Sequence, residues 1–376
     1  MNILIAPDSF KDSLSAKKVA EAIGQGIRLE SPEAEIKILP MADGGEGTVE
    51  ALADASQGKI IKVSVEDALR RPINAKLGLS GNGETAIIEM AAASGIEHLQ
   101  SGECNPWKTT TFGTGQLIKH ALDQECRKVI IGIGGSATND GGVGMAMALG
   151  IKFTDDSGNE KGIGGGELSE ISSIDISGLD NRVSSTEFIV ACDVTNPLTG
   201  PEGASYVYGP QKGADSKMVK RLDDNLRHFA LLLKDKLNKD VEHVPGAGAA
   251  GGLGAGLMAF LDARLMKGFE IIREETRLDV AIRWADLVIT GEGKIDVQTQ
   301  FGKTPMGVAG VAKKYNKPVI AFAGTLGEGY EELYPLGFDA IFSIIDKPME
   351  LKEALINAPF LLERCVRSAI RMFLLK

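Results

Sequence analysis

The segment best equipped for chemistry is "GIGGSATNDGGVG" at residues 132–144, which directly follows the apolar run "KVIIGI". Glycine lets backbone N–H groups approach a phosphate closely, and a nearby carboxylate can hold the Mg²⁺ that accompanies the phosphate. The pattern therefore predicts a phosphate-binding loop in which Asp140 is a metal ligand. The predicted phosphate contacts are the backbone of Gly134, Gly135 and Ser136 and the hydroxyl of Thr138.

A second glycine-rich segment, "GAGAAGGLGAG" at residues 246–256, fits the same use. Its predicted nucleotide contacts are Gly248, Gly251 and Gly252. Glycine-rich turns can also serve only to pack a helix tightly against a strand, so one such loop is weak evidence, whereas two loops with interleaved acids are stronger. Neither segment matches G-x-x-x-x-G-K-[ST] or a strict G-x-G-x-x-G with a later acid. A Walker ATPase and a simple Rossmann dehydrogenase are therefore disfavoured.

Acidic residues occur within a few positions of the carboxyl ends of the predicted strands. Because a buried carboxylate needs a partner, a purely structural role for so many of them would be costly. Mg²⁺ favours one or two carboxylates plus phosphate oxygens, and a substrate hydroxyl needs a carboxylate as general base. Each acid taken singly can instead be an N-cap or part of an Asx-turn. The set comprises Asp8, Asp43, Glu46, Asp140, Asp193, Glu292 and Asp296.

Four lysines lie in similar glycine-rich loops rather than on helix faces: Lys11, Lys212, Lys294 and Lys303. A lysine there can hold a phosphate or a carboxylate as a point charge, although most lysines are solvated surface charges. The four histidines lie away from these loops, so a Ser-His-Asp hydrolase is disfavoured. Together these residues indicate a phosphate-handling, Mg²⁺-dependent α/β enzyme that uses a carboxylate as base.

These residues need strands and helices to position them. The predicted strands are short apolar runs that each end in glycine or an acid, such as "NILIAPDSF", "EFIVACDVTNP" and "DLVITGEGKID". Such runs are typical of strands buried on both faces of a parallel sheet. Helical patterns lie between them. In residues 16–30, after a serine N-cap, Val19, Ile23 and Ile27 share one helix face. The order of strand and helix predicts a doubly wound sheet.

A stretch near residues 64–90 breaks that order, because it alternates apolar and polar residues around "GNG" and so predicts antiparallel hairpins. The expected fold class is α/β, with a Rossmann-like doubly wound parallel sheet domain and a second mixed α/β domain inserted in it. The first domain is placed at 1–64 and 285–376, and the inserted domain at 65–284.

The chain has 376 residues, a net charge of −10 and a pI near 5.1. This acidic balance argues against a general affinity for nucleic acid or for an anionic membrane. The N-terminus lacks the basic region and cleavage site of a signal peptide, and the glycine-packed apolar run at 246–261 is too short for a membrane span. The four widely spaced cysteines predict reduced thiols and a cytoplasmic location. The oligomeric state stays open.

Several motifs resemble those of bacterial type 1 glycerate kinases and occur in the order of that family. They include "IAPDSFKDSLSA" (5–16), "MADGGEGTVEA" (41–51), "GIGGSATNDGG" (132–142), "ACDVTNPLTGPEGAS" (191–205), "GPQKGA" (209–214) and "VITGEGKIDVQT" (288–299). The resemblance covers essentially the whole chain. It implies transfer of the ATP γ-phosphoryl group to D-glycerate, most often at the 2-hydroxyl, in a cleft between a Rossmann-like domain and an inserted domain.

Within such an enzyme, Asp193 is favoured as the base that accepts the proton of the glycerate 2-hydroxyl, with Asp296 close behind. The predicted catalytic residues are Asp193, Asp296, Lys11 and Lys294. The predicted substrate contacts are Asp8, Ser9, Lys11, Asp43 and Glu46, of which Lys11 and Ser9 suit the glycerate carboxylate. Lys303 joins the nucleotide contacts. The predicted Mg²⁺ ligands are Asp140, Glu292 and Asp296.

Three alternatives share some or all of this pattern. A glycerate 3-kinase, or a kinase of another small hydroxy acid, shares every motif. An NAD-dependent oxidoreductase would use "GIGGSA" for its dinucleotide, yet the acid expected about 20 residues later falls in the polar segment "TDDSG" rather than at a strand end. A non-catalytic glycerate sensor would keep a carboxylate pocket but would need no metal-binding acids.

Overall fold

The computed structural model describes residues 1–42, 47–300 and 303–375. The chain forms two compact units. Unit 1 comprises Met1–Asp43, Glu50–Ser56 and Phe269–Lys376. Unit 2 comprises Gly44–Val49 and Gln57–Gly268. The chain therefore crosses from unit 1 to unit 2 twice, at 43/44 and at 56/57, and returns to unit 1 at 49/50 and finally at 268/269.

Strands and helices alternate along most of the chain. The strands are β1 (Asn2–Ile5), β2 (Glu35–Ile38), β3 (Lys59–Glu66), β4 (Pro72–Leu79), β5 (Thr85–Glu89), β6 (Lys128–Gly132), β7 (Lys152–Thr154), β8 (Ser173–Asp175), β9 (Glu187–Ala191), β10 (Arg264–Met266), β11 (Leu287–Ile295), β12 (Val319–Leu326) and β13 (Ala340–Ser343). The helices are α1 (Ala16–Glu30), α2 (Thr48–Ala55), α3 (Ala91–Ser94), α4 (Phe112–Asp123), α5 (Val143–Ala148), α6 (Ala204–Tyr208), α7 (Ser216–Leu237), α8 (Ala249–Leu261), α9 (Gly268–Glu275), α10 (Leu278–Trp284), α11 (Thr304–Lys314) and α12 (Leu351–Phe373).

Unit 1 is built on a parallel five-stranded sheet in the order β13-β12-β11-β1-β2. Ile3 and Ile5 of β1 are fully buried in the cluster that includes α1 and α12. Leu4 lies on the opposite face, because successive strand side chains alternate. Helix α10 contacts β1, and α11 contacts β11 and β12. Helices therefore cover both faces of the sheet, as the doubly wound prediction requires.

Helix α1 shows how the sequence specifies these elements. The Ser15 side chain caps the helix by accepting a hydrogen bond from the Lys18 amide. Val19, Ile23 and Ile27 are fully buried on one face. Burial of each such side chain contributes about 1.5–3 kcal/mol. The helix predicted for residues 16–30 is confirmed.

Unit 2 contains a six-stranded mixed sheet in the order β10-β9-β6-β5-β4-β3. The first four of these strands are parallel to one another, whereas β4 is antiparallel to both β5 and β3. The hairpins predicted near 64–90 are therefore confirmed. Strands β7 and β8 form a separate antiparallel pair. Within the described ranges, no helix combines the length and the hydropathy that a membrane span requires.

The joins between the units come earlier in the chain than the predicted boundaries at 64/65 and 284/285. Strand β3 begins at Lys59 and pairs along its whole length with β4, which places it in unit 2. Most of α9 and all of α10 belong to unit 1, where α10 contacts β1. Strand pairing and helix packing set the joins, and neither is visible as a change in local sequence pattern.

Candidate active site

The loop that follows β6 leaves backbone amides available to an anion. Gly134 and Gly135 are exposed, and Gly135 has a φ of 71°, a left-handed conformation that favours glycine. The loop is anchored by the Ala137 amide, which donates to the Ser94 carbonyl at 3.0 Å. Among the described residues, the amides of Gly134, Gly135 and Ser136 donate no hydrogen bond. Successive unpaired amides of this kind suit a phosphate or a carboxylate.

Behind this loop lies Lys212, whose side chain is 1% exposed. Its Nζ donates to Ser136 Oγ at 2.7 Å and to the Thr138 carbonyl at 2.7 Å. Burial lowers the pKa of Lys212 to about 7, and the nearby Asp140 charge acts in the opposite direction. The sequence singled out Lys212 only as one of four loop lysines, because nothing local in the sequence signals its burial.

The side chain of Thr138 lies inside the fold rather than at the loop surface. Thr138 is fully buried, and its Oγ1 has no hydrogen-bond partner among the described residues. The neighbouring Asn139 accepts a hydrogen bond from Ser205 Oγ at 3.1 Å through its Oδ1. This geometry does not support the phosphate contact that was predicted for the Thr138 hydroxyl.

Asp140 is also fully buried, and donors surround both of its oxygens. Oδ2 accepts hydrogen bonds from the Thr111 amide at 2.7 Å, from Thr111 Oγ1 at 2.9 Å and from Thr110 Oγ1 at 3.2 Å. The Gly142 amide donates to Oδ1 at 3.1 Å, and the Gly144 amide lies 3.3 Å from Oδ2. Burial raises the pKa of Asp140, and these hydrogen bonds oppose that rise. The geometry favours a structural role over the predicted metal ligation.

The second glycine-rich loop includes the start of α8, where Ala250, Gly251 and Gly252 have non-helical backbone angles, and it packs against the first loop. An added Cβ on Gly251 would lie 2.0 Å from the Thr138 carbonyl oxygen, and one on Gly252 would lie 2.9 Å from Gly141 Cα. Gly251 and Gly252 have φ values of 67° and 89°. A Cβ on Gly248 would lie 2.1 Å from a backbone oxygen. Gly248, Gly251 and Gly252 are all buried. Close packing of the backbone therefore explains why glycine occupies these three positions.

Asp193 lies at the same edge of the unit 2 sheet as the first loop. Strands β6 and β9 are parallel neighbours, and their register pairs Gly132 with Ala191. Gly134 and Asp193 each follow that pair by two residues, and both are exposed. The Gly268 amide donates to Asp193 Oδ1 at 3.1 Å. The structure thus brings the predicted base and the predicted phosphate loop onto adjacent strand ends.

In unit 1, Asp8 follows β1 by three residues and lies near Glu292, which is part of the adjacent strand β11. The Asp8 amide donates to the Gly291 carbonyl at 2.8 Å, and the Ser9 amide donates to Asp8 Oδ1 at 2.6 Å. Glu292 is 8% exposed. Burial raises the pKa of Glu292, and the negative charge of Asp8 raises it further. Repulsion between two carboxylates favours the arrival of a cation.

Two side chains hold Glu292 in place. Thr299 Oγ1 donates to Glu292 Oε1 at 2.7 Å, and Lys303 Nζ lies 3.4 Å from Glu292 Oε2. Both contacts oppose the rise in the pKa of Glu292. Thr299 is not among the site residues predicted from the sequence. Its signal is the Asp-x-x-Thr spacing from Asp296, since the Thr299 amide donates to the Asp296 carbonyl at 2.9 Å.

Asp296 forms an ion pair with another predicted site residue. Lys294 Nζ lies 2.8 Å from Asp296 Oδ2, and the Gln298 amide donates to Oδ1 at 3.0 Å. The hydrogen bond from Lys294 is the main cause that lowers the pKa of Asp296. The same contact raises the pKa of Lys294. The pair therefore stays ionised at neutral pH.

Lys11 is exposed in the loop after β1, next to β11. An added Cβ on Gly293 would lie 3.2 Å from the Lys11 amide nitrogen, so the two backbones approach closely. Asp43 and Glu46, which were predicted to contact substrate, lie outside the described residues.

The donor set in unit 1 fits Mg²⁺ bound together with a nucleotide. Within residues 1–42, 47–300 and 303–375, no cluster of three or more histidine, cysteine, aspartate or glutamate side chains is arranged to hold a metal ion. Mg²⁺ needs only one or two carboxylates, because phosphate oxygens and water complete its octahedron. Asp8 and Glu292 are such a pair, whereas the oxygens of Asp140 are already occupied by donors from unit 2.

The fold and these groups define a class of protein, an α/β enzyme that handles phosphate groups. Unpaired amides follow the parallel strand β6, and two carboxylates with lysine partners lie on β11 and directly after it. In α/β sheets such strand ends are where ligands bind.

Comparison with known proteins identifies the family. The model of the Glycerate kinase family matches residues 3–374. The glycerate 2-kinase of Escherichia coli (strain K12) is 53% identical over 354 residues, which cover 94% of this chain and 93% of that protein. The glycerate kinase of Bacillus subtilis (strain 168) is 51% identical over 367 residues, which cover 98% and 96% of the two chains. This chain belongs to the glycerate kinase family.

A solved structure shows the same fold. The crystal structure provisionally assigned to glycerate kinase 2 from Salmonella typhimurium LT2 has a TM-score of 0.92 and 51% sequence identity. The match covers 99% of this chain and 98% of the other. The predicted fold class is therefore confirmed across the whole chain.

Proposed function

We propose that this protein transfers the γ-phosphoryl group of ATP to the 2-hydroxyl of D-glycerate, giving ADP and 2-phosphoglycerate. Its family supports a glycerate kinase, and the Escherichia coli relative named glycerate 2-kinase supports the 2-position. The observation that carries the proposal is the loop after β6. Its three amides, unpaired among the described residues, lie beside a buried lysine.

The amides of Gly134, Gly135 and Ser136 bind phosphate oxygens of ATP. The loop is already anchored in its conformation through Ala137 and Lys212. Donors held in advance need little reorganisation when negative charge develops, so they stabilise the transition state more than flexible groups do. This assignment keeps the first loop as the nucleotide site and leaves Gly248, Gly251 and Gly252 with a packing role.

Asp193 accepts the proton of the glycerate 2-hydroxyl. It is exposed at the same edge of the unit 2 sheet as Gly134, and the Gly268 amide donates a hydrogen bond to its Oδ1. As the proton moves to Asp193, the hydroxyl oxygen forms a bond to the γ-phosphorus and the bond from that phosphorus to ADP breaks. A positioned base of this kind contributes roughly 10²–10⁴-fold to the rate.

Asp296 is the second candidate for the base. Its ion pair with Lys294 lowers its pKa, so it is a weaker proton acceptor. We assign the pair instead to ordering the end of β11, next to Glu292.

Lys11 and Ser9 bind the glycerate carboxylate, and Lys303 neutralises charge on the phosphoryl group that is transferred. These assignments rest on the position of Lys11 and Ser9 after β1, beside β11. Lys303 lies 3.4 Å from Glu292 and immediately precedes α11. A lysine can serve either anion as a point charge.

Mg²⁺ would be held by Glu292 together with Asp8. When bound, the ion neutralises charge on the ATP phosphates. Thr299 orients Glu292, and Lys303 limits how much negative charge remains at the site. A cytoplasmic location fits the use of ATP and the four free cysteine thiols.

Phosphorus NMR of the purified protein with D-glycerate, ATP and Mg²⁺ tests the proposal, because it measures turnover and product regiochemistry together. We expect 2-phosphoglycerate. Two further acceptors are matched controls: D-lactate keeps the 2-hydroxyl and lacks the 3-hydroxyl, whereas 3-hydroxypropionate does the reverse. A signal from 3-phosphoglycerate would replace the proposal by a 3-kinase, and the absence of any product would contradict a glycerate kinase activity.

A further inference from the structure

Lys212 is one of the largest fully buried side chains of the described residues. Its ammonium group donates to two neighbours, Ser136 Oγ and the Thr138 carbonyl, both at 2.7 Å. These acceptors lie in the loop of exposed amides, 76 and 74 residues away along the chain. A single side chain from a distant segment therefore joins the loop at two points.

The backbone around Lys212 is shaped to deliver the side chain there. Residues Pro210–Lys212 form a 3₁₀ turn, which ends at Gly213 with a φ of 93°. An added Cβ on Gly213 would lie 2.2 Å from the Cys104 carbonyl oxygen. The Ala214 amide closes the turn by donating to the Gly209 carbonyl at 3.0 Å. Gly209, Pro210 and Gly213 thus fix the turn that carries Lys212.

Burying an ammonium group costs free energy unless the group is hydrogen-bonded and paired with an opposite charge. The charged group that acts on Lys212 among the described residues is Asp140, on the loop after β6. Three other titratable residues lie close to the turn in sequence or packing. They are Tyr208, whose hydroxyl donates to Asn196 Oδ1, Asp215, which accepts from the Met218 amide, and Cys104, whose carbonyl lies against Gly213. Asp140 already accepts hydrogen bonds from Thr111 and from other donors, so it does not form a direct ion pair with Lys212 in the described structure.

We propose that Lys212 is a positioning residue for nucleotide binding, which holds the Ser136–Thr138 segment so that the amides of Gly134, Gly135 and Ser136 face the ATP phosphates. Its positive charge also favours an anion at the loop. Lys212 acts through the loop and needs no contact with glycerate. This inference rests on the proposed function, since it takes the loop to be the site for ATP phosphates.

Replacing Lys212 should change the affinity for the nucleotide selectively. Replacing Lys212 leaves Ser136 Oγ and the buried Thr138 carbonyl without this donor, so the amides lose their fixed arrangement. Affinity for ATP should fall, while affinity for D-glycerate should change little. A general loss of structure would instead weaken both and lower the melting temperature.

The experiment is calorimetric binding of ATP with Mg²⁺, and separately of D-glycerate, to the wild-type protein and to Lys212→Met, Lys212→Arg and Ser136→Ala. Lys217→Met is the matched control, because Lys217 is exposed on α7 of the same unit. Circular dichroism melting checks the fold of each variant. For Lys212→Met we expect a rise in the Kd for ATP of about tenfold or more, the scale of one hydrogen bond to a charged group.

Lys212→Arg should recover part of the affinity, and Ser136→Ala should show a smaller rise than Lys212→Met because it removes one of the two contacts. An unchanged Kd for ATP in a folded Lys212→Met variant would overturn the inference. So would a rise confined to D-glycerate. If Lys212→Met does not fold, Ser136→Ala decides, and an unchanged Kd for ATP in that variant would also overturn it. The proposed function is tested independently of Lys212, because it is contradicted only if the wild-type protein gives no phosphorylated glycerate.

Discussion

The two glycine-rich loops of unit 2 have similar composition and different surroundings. In the loop at 132–144, Gly134 and Gly135 are exposed, and their amides are unpaired among the described residues. In the loop at 246–256, Gly251 and Gly252 are buried, and backbone atoms occupy the space where a Cβ would stand. The second loop supports the first, and we assign nucleotide binding to the first alone.

The difference shows what a glycine pattern leaves open. Glycine allows close approach of a backbone, and the approaching group can be a phosphate or another part of the chain. The deciding observation is whether the amides already have partners. Substitutions in each of the two loops distinguish phosphate binding from backbone packing.

The largest effect is expected at the acid beside the first loop. Asp193→Asn keeps the size of the side chain and removes its basicity, so kcat should fall by roughly 10²–10⁴-fold with little change in melting temperature. Steady-state kinetics with D-glycerate and ATP measures it. Asp156→Asn is the matched control, since Asp156 is exposed in unit 2 away from the strand ends that carry the loop. Full activity of Asp193→Asn would move the base to another residue.

The second loop should respond in stability rather than in binding. Gly251→Ala places a Cβ 2.0 Å from the Thr138 carbonyl oxygen at a φ of 67°. The clash and the backbone strain together should lower the free energy of unfolding by about 3 kcal/mol. Urea unfolding measures it. Gly134→Ala is the control, because nothing lies within 4 Å of its added Cβ, and it should leave stability near that of the wild type. Equal losses in both variants would remove the contrast between the loops.

The first loop should respond in nucleotide affinity. Gly134→Pro removes an N–H donor, so the KM for ATP should rise about tenfold, the scale of one hydrogen bond to a charged group. Gly134→Ala keeps the N–H and should stay within about twofold of the wild type. Initial rates over a range of ATP concentrations at saturating D-glycerate distinguish the two. A KM that does not change in Gly134→Pro would show that this amide binds no phosphate.

The smallest effect concerns pH. Burial lowers the pKa of Lys212 to about 7, so the residue is protonated below that pH and neutral above it. A positive charge behind the loop favours bound phosphate, and the affinity for ATP should therefore decline a few-fold as the pH rises from 7 to 9. Calorimetric titration with saturating Mg²⁺ measures it. Lys212→Met should show a flatter profile over the same range, and an equal decline in both proteins would assign the effect to other groups.

The sequence predicted much of the fold because the relevant signals are local. The buried face of α1 is set by a spacing of four between Val19, Ile23 and Ile27, and the hairpin around β4 by alternation around a glycine turn. The resemblance to glycerate kinases was confirmed by the family match over residues 3–374. The exposed loop after β6 also follows from its position at the end of an apolar strand.

The remaining details of the site depend on contacts between distant segments. The sequence pattern predicts that Asp140 is a metal ligand, yet its main partners, Thr110 and Thr111, lie about 30 residues earlier in the chain. The burial of Lys212 depends on acceptors more than 70 residues away. Gly251 is constrained by the Thr138 carbonyl rather than by its own neighbours. Local patterns cannot show whether a group already has a partner from elsewhere.

We assign ATP binding to the first loop and a supporting role to the second. A crystal structure of the protein with a non-hydrolysable ATP analogue and Mg²⁺ tests this assignment most directly. We expect phosphate oxygens within about 3 Å of the amide nitrogens of Gly134, Gly135 and Ser136. Phosphates bound instead to the backbone of residues 248–252 would contradict it.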